Sequence, residues 1–299
     1  MTLGRVGLPL AAALLALVVG PACALGGPAS TQAGPAVTWH PARVRVGDVA
    51  WVHVQGVPDG VVLEGSLGGR PLAFFPYAGG RAALVGIDVD TKPGIQTWHL
   101  TMMTSDDGPR KIEGRLSVQR RDFSVQRLTL PPKMVDLDPE TERRAVVEGD
   151  QLKTLYRVVT PDRLWRGRFT RPVEGVEPGT GFGSRRVING QPKAPHTGID
   201  FGVAAGTPVV AVNDGRVALV ADFFFPGRLV VIDHGLGLYT LYFHLQEAKV
   251  TDGERVSRGQ PIGAVGATGR ATGPHLHFGA HLGAARIDPA TLLELRVAN

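Results

Sequence analysis

Three short segments carry side chains able to do chemistry: His196-Thr197-Gly198-Ile199-Asp200, Tyr242-Phe243-His244-Leu245 and His275-Leu276-His277. On a β-strand alternate side chains share a face, so His275 and His277 would project into one cavity, about 6.6 Å apart along the backbone. Two imidazoles so placed suit metal ligation or acid–base work. His196 and Asp200 are four residues apart, about 13 Å on a straight strand and too far for two ligands of one ion. The chain must therefore bend between them, and Gly198 lies where a bend can occur, with His196 on a loop and Asp200 opening the strand Asp200-Phe201. Zinc takes neutral imidazole nitrogen and carboxylate oxygen at about 2.0 to 2.2 Å, and a catalytic site keeps three protein ligands plus a position open to water. Two histidines and one aspartate would leave a net charge of about +1, enough to acidify a bound water and polarise a carbonyl. Five candidate groups exceed that requirement by two. The surplus histidines would move protons and steady an oxyanion, a task that HExxH enzymes give to glutamate; no HExxH occurs here. Spacing alone does not say which member of the His275/His277 pair is the ligand.

The elements that must position these groups read as strands. Pro208 to Asn213, Arg216 to Asp222, Arg228 to Asp233 and Leu238 to His244 are β-like and separated by turns such as Asn213-Asp214-Gly215. No amphipathic helix longer than about two turns is evident in this region. Upstream, period-two segments (Arg43 to Val46, Trp51 to Val54, Trp98 to Met102, Glu113 to Val118) predict an N-terminal immunoglobulin-like β-sandwich over 37–125. His40, His53 and His99 fall apart within it and read as polar strand-face or edge residues. His234 reads as a structural turn residue and His281 as lining the groove or surface. Residues 126–175 form an expected linker with a helix: Asp138 is its N-cap, Pro139 its first residue, and Leu152, Leu155 and Tyr156 give it an apolar face. Arg157, Arg163, Arg166, Arg168 and Arg171 follow, read as a solvated face or a docking strip for anionic glycan. Residues 176–299 are expected to form a second β-domain, which carries the candidate catalytic groups. The fold class is thus mainly β, two β-domains joined by a helical connector.

The chain has 299 residues with 40 Gly and 23 Pro, a turn-rich balance compatible with many short strands. Its formal net charge of +5 is too dilute to imply nucleic acid. Residues 1–24 have the layout of a secretory signal peptide, with Arg5, an apolar run from Leu8 to Val19, and the small triplet Ala22-Cys23-Ala24. Cleavage there would remove the only cysteine; lipidation at Cys23 is the alternative. Residues 25–36 read as a flexible leader. No other stretch reaches 18 uninterrupted apolar residues, so the mature chain is expected to lack a membrane span. The expected location is outside the cytoplasm, in the periplasm or cell envelope.

The part from about Gly181 to Leu293 resembles the lysostaphin-like (LytM-type) zinc metallopeptidases that cut peptide bonds in bacterial peptidoglycan. The resemblance rests on HxxxD, an intervening histidine and a distant HxH in that order, and on Phe182-Gly183-Ser184-Arg185-Arg186, Gly206-Thr207-Pro208-Val209, Asp233-His234-Gly235 and Gly266-Ala267-Thr268-Gly269. It implies a compact antiparallel β-domain with one Zn2+ in a groove, bound by His196, Asp200 and His277, and His244 and His275 as the catalytic pair. It also implies a peptidoglycan peptide as substrate. Some lysostaphin-type members carry a tyrosine shortly before HxxxD; Gln191 to Pro195 offers none. The N-terminal β-domain resembles in layout a module that precedes such domains in envelope proteins, where it would position substrate, occlude the groove or recruit a regulatory envelope protein. Two rival functions are a non-enzymatic cell-wall-binding or hydrolase-activating scaffold of the same fold and a secreted peptidase for general proteins. Scaffold relatives typically lose a ligand, and all five positions are intact here.

Overall fold

The computed structural model describes residues 34–104, 108–179 and 181–297. The signal-peptide residues, Cys23 and the leader up to residue 33 lie outside the described residues. The protein is mainly β.

Two sheets form the N-terminal region. One has the order Ala36–His40, Val49–Gln55, Gly80–Gly86, Phe74–Tyr77; the other runs Val44–Arg45, Gly108–Gln119, Gly94–Thr104, Val62–Leu67, Arg70–Pro71. Alternation along Val49–Gln55 explains why six of its seven residues are buried. Ala50, Val52 and Val54 pack with Trp98, Leu100, Met102 and Leu116 of the five-stranded sheet. Val49 and Trp51 point the other way, into a second core shared with Trp165, Phe169 and strands of the C-terminal region. A strand buried on both faces must be apolar on both, which is why this sequence reads as nearly continuous hydrophobic text. His53 shares the Trp51 face and is buried beside Trp51 and Tyr77, with ring centroids 6.1 and 5.0 Å away, so of the two alternatives it is a strand-face residue, turned inward, and not an edge one. His40 stacks on Trp51, and exposed His99 lies 3.5 Å from Glu113.

The helix α1 spans Pro139–Leu155. The Asp138 carboxylate accepts the amide hydrogens of Glu140 and Thr141, each at 3.0 Å, satisfying two donors that the first turn leaves free. Tyr156 closes the helix and packs on Phe223, Leu229, Val231 and Tyr239. The arginine-rich stretch that follows lies along the C-terminal sheet: Leu164 donates its amide hydrogen to the His234 carbonyl, Leu236 to Thr160, and Thr170 to Val212. Trp165 has no exposed surface, Arg163 sits over the Phe75 and Trp165 rings, and Arg171 pairs with Glu177.

The C-terminal region is built on a nine-stranded sheet of antiparallel pairs. Its main path is Gly198–Phe201, Leu276–Leu282, Leu238–Ala248, Gly227–Asp233, Gly215–Phe223, Arg255–Val256. Pro208–Val210 pairs with Pro261–Val265, which in turn pairs with Leu238–Ala248. A three-stranded sheet lies beside it, with Val125–Leu128 parallel to Arg185–Ile188 and the latter antiparallel to Gln191–Pro192. A short helix α2, Pro289–Glu294, follows Asp288.

Candidate metal centre

Asp200 and His277 are direct cross-strand partners in the pairing of Gly198–Phe201 with Leu276–Leu282. Opposed residues of antiparallel strands project to one side, which brings this carboxylate and imidazole together without special geometry. His196 lies two residues before its strand. It is held on a bend, where its amide hydrogen goes to the Ser184 carbonyl at 3.0 Å and its own carbonyl accepts from Gly183 at 2.7 Å.

Three potential ligand atoms meet there. His196 Nε2 is 2.9 Å from His277 Nδ1 and 3.2 Å from Asp200 Oδ1, and His277 Nδ1 is 3.0 Å from the same oxygen. Two ligands of a tetrahedral zinc are separated by about 3.4 Å when each bond is about 2.1 Å, close to this triangle. The donor set fits a cation on chemical grounds as well. His196 Nδ1 lies 3.2 Å from the Gly181 carbonyl, which fixes the hydrogen on that nitrogen and leaves a lone pair on Nε2. Asp200 as a carboxylate only accepts. At most one proton, on His277, is then available to three lone-pair-bearing atoms. Burial would raise the Asp200 carboxyl, but the His196 and His277 rings set against it outweigh that and hold the group well below the usual carboxylate range. Burial pushes His277 down to about 4 despite the Asp200 hydrogen bond, keeping it neutral as a nitrogen ligand must be. The Phe243 ring stacks on it at 5.3 Å.

His244 reaches the site through a β-bulge. The register of Leu238–Ala248 against Gly227–Asp233 shifts between Arg228 and Val230, and His244 has a left-handed φ of 63°. Tyr242 and Leu245 face the core, while consecutive Phe243 and His244 both line the groove. A regular strand would have turned His244 into the core; the extra residue re-aims it. Its ring centroid lies 4.7 Å from that of His275. Burial, then the neighbouring His277 and His275, push His244 down to about 3. His244 Nδ1 is 2.9 Å from the Thr268 carbonyl and His275 Nδ1 is 2.9 Å from that of Gly273. Both rings thus carry their hydrogen on Nδ1 and keep Nε2 as an acceptor.

The five residues named from sequence therefore meet in one groove of about 460 Å³. His196, Asp200 and His277 form the converging triad; His244 and His275 form the adjacent pair. Between the members of the HxH, the triad includes His277. His234 is fully buried between the Asp214 carbonyl and the Thr240 hydroxyl, as a structural residue should be. Of the two places expected for His281, the groove is not the one: the ring is half-buried, stacks on Tyr156 at 4.0 Å and is not among the residues that line the groove. Among the described residues no tyrosine lines the groove. Sequence reasoning missed Arg186, Arg270 and Phe225, which do. Arg186 falls within the Phe182–Arg186 stretch and Arg270 lies five residues before His275, but arginine carries no spacing signature of its own.

Residues 194–289 match peptidase family M23. The chain is 40% identical over 130 residues to the peptidoglycan DD-endopeptidase ShyA of Vibrio cholerae, and 42% identical over 119 residues to ShyC of the same organism. These matches cover 44% and 39% of the chain but only 28% and 27% of the relatives, so it spans about a quarter of their length. A solved peptidase M23 structure from Pseudomonas aeruginosa is matched far more fully, at 33% identity and a TM-score of 0.65, over 84% of this chain and 95% of that one. That match extends well beyond the groove-bearing region, and together with the converged triad it places the chain in peptidase family M23.

Proposed function

We propose that the protein is an exported zinc metalloendopeptidase that hydrolyses peptide bonds of bacterial peptidoglycan. The observation that carries this reading is the triangle of His196 Nε2, Asp200 Oδ1 and His277 Nδ1, a donor set short of protons and spaced for one small cation. When bound, zinc supplies Lewis-acid polarisation of a carbonyl and acidifies water. His196, Asp200 and His277 would hold it. One of His244 and His275 takes the proton of the attacking water at Nε2 and passes it to the leaving amine; the other steadies the oxyanion when its own Nε2 has gained a proton to donate. The names of the Vibrio cholerae relatives support a D,D cross-link as the bond cleaved. Export rests on the residue pattern of the first 24 positions.

The test is metal content and activity on the same preparation. One zinc per chain by plasma emission, with soluble muropeptides released from purified sacculi and both lost in His196→Ala, is the expected result; mass spectrometry of the products identifies the bond. A metal-free protein that leaves sacculi intact and only stimulates another hydrolase would establish the scaffold function instead. Cleavage of casein in place of sacculi would point to a general peptidase. Cell fractionation and the mass of the mature N-terminus check export and the state of Cys23.

A further inference from the structure

The groove has an imbalance of charge that hydrolysis itself does not use. Among the described residues Asp200 is the only acid lining it, and that carboxylate is committed to His196 and His277. Arg186 and Arg270 line the same groove, half-buried, and neither has a carboxylate within ion-pair distance among the described residues. Arg286 and Arg121, also half-buried, do have such partners, in Asp88 and Asp288. Arg186 comes from the strand Arg185–Ile188 and donates from Nε to the Gln126 amide oxygen at 3.2 Å, a neutral partner that leaves its two terminal amino groups unassigned. Arg270 comes from the loop before His275. Its guanidinium lies 4.1 Å over the Phe225 ring, which occupies one flat face and leaves the in-plane N–H donors open. Apolar Leu128, Leu130 and Ile188 line the groove nearby, lowering the local dielectric. The charge of Asp200 acts on Arg186 but is shared with two imidazoles, so keeping two neighbouring positive charges partly out of water is costly, and an anionic ligand lowers that cost.

We propose that Arg186 and Arg270 form a carboxylate-binding subsite, so that the peptide taken by this groove carries a free carboxylate beside the scissile bond. The guanidinium fork matches a carboxylate through two parallel hydrogen bonds, and a pair of such groups gives selectivity against the neutral amide. The inference rests on the peptidase reading for the identity of the ligand as a wall peptide.

The probe is a synthetic cross-linked stem-peptide dimer with a free carboxylate next to the scissile amide, compared with the same compound bearing a carboxamide there. Binding to the chelator-treated full chain is measured by calorimetry, and hydrolysis by the metal-loaded protein is measured in parallel. The free acid should bind at least about tenfold more tightly than the amide, with Arg186→Gln and Arg270→Gln each reducing the ratio and the double variant bringing it to about one. Arg186→Lys and Arg270→Lys, which keep the charge but not the fork, should retain part of it, and this controls for misfolding. Equal binding of acid and amide by the wild type overturns the proposal. So does an unchanged ratio in the double variant, or a loss of binding and hydrolysis that falls equally on acid and amide. Acid-selective binding without any hydrolysis of sacculi would instead overturn the peptidase reading and leave the subsite standing.

Discussion

Gly198 and His277 approach so closely that a Cβ at position 198 would lie 2.6 Å from both Cε1 and Nε2 of the imidazole. The Phe278 carbonyl, 2.5 Å from the same point, blocks any retreat along the strand. The glycine within HxxxD therefore makes room for a ring 79 positions later in the chain, beyond any part it plays in the bend. Gly198→Ala should shift the His277 ring and weaken zinc binding about 10- to 100-fold, in line with other changes that disturb ligand orientation. Competition with a chromophoric chelator measures this directly; unchanged affinity would show that the ring relaxes freely.

The triad and the pair should separate in their effects. His277→Ala and His196→Ala remove ligands and should abolish both zinc and hydrolysis. His244→Ala and His275→Ala should retain stoichiometric zinc while lowering kcat by about 10²- to 10⁴-fold. Zinc lost from His244→Ala would mean that this residue, too, is a ligand.

Metal binding should be visible as stability. A ligand present at about a thousand times its Kd adds about 4 kcal/mol to the folded state. Chelation should therefore lower Tm by several degrees, and readdition of zinc should restore it. A melting curve indifferent to chelator would place the ion elsewhere than in a folded-state site.

Acid should destabilise the metal-free protein through histidines remote from the triad. Burial pushes His234 down to about 4, against an unfolded value of about 6.5. Between those pH values the unfolded chain binds a proton that the folded chain refuses. Stability is complete above pH 6.5 and falls as the pH drops towards 4, by about 3 kcal/mol for this ring. His234→Gln should be less stable at neutral pH but show a shallower slope of urea midpoint against pH across that window.

The junction between the two regions is clamped by Arg286, which donates from Nη2 to Asp88 Oδ1 at 2.7 Å and to Asp90 Oδ2 at 2.8 Å, and from Nε to Asp88 Oδ2 at 3.0 Å. Arg286→Ala would leave Asp88 buried without its counter-charge, at a cost of about 2 kcal/mol given the partial exposure of the arginine. Urea denaturation checks the value. Asp88→Asn in the same background should recover part of the loss.

Much of this site was legible because its chemistry is written in residue types that have few other uses. Five histidine and aspartate side chains at those spacings pointed to one ion and one acid–base pair, and antiparallel pairing of Asp200 with His277 needs only strand alternation. The route by which His244 arrives was hidden, since a bulge depends on the register between two strands and leaves no mark in either alone. Asp138 and Pro139 announced the helix start because capping is local. The contacts of His53 and His281 are hidden for the opposite reason, because they come from Tyr77 and Tyr156, aromatic neighbours far along the chain. Arg186 and Arg270 were passed over because an arginine against a groove wall looks, in sequence, like any arginine on a surface.

The strand Val49–Gln55 and its neighbours give one face to each core, so a single layer of backbone serves as the inner wall of both regions. Swinging the N-terminal region away from the groove would strip Trp51 and Leu84 from the core they share with Trp165, exposing large apolar side chains to water. The hinge that a two-domain hydrolase would need for rigid-body gating is thereby forfeited. The groove's own rim is fastened too, since the Arg270 amide hydrogen goes to the Phe225 carbonyl at 3.0 Å.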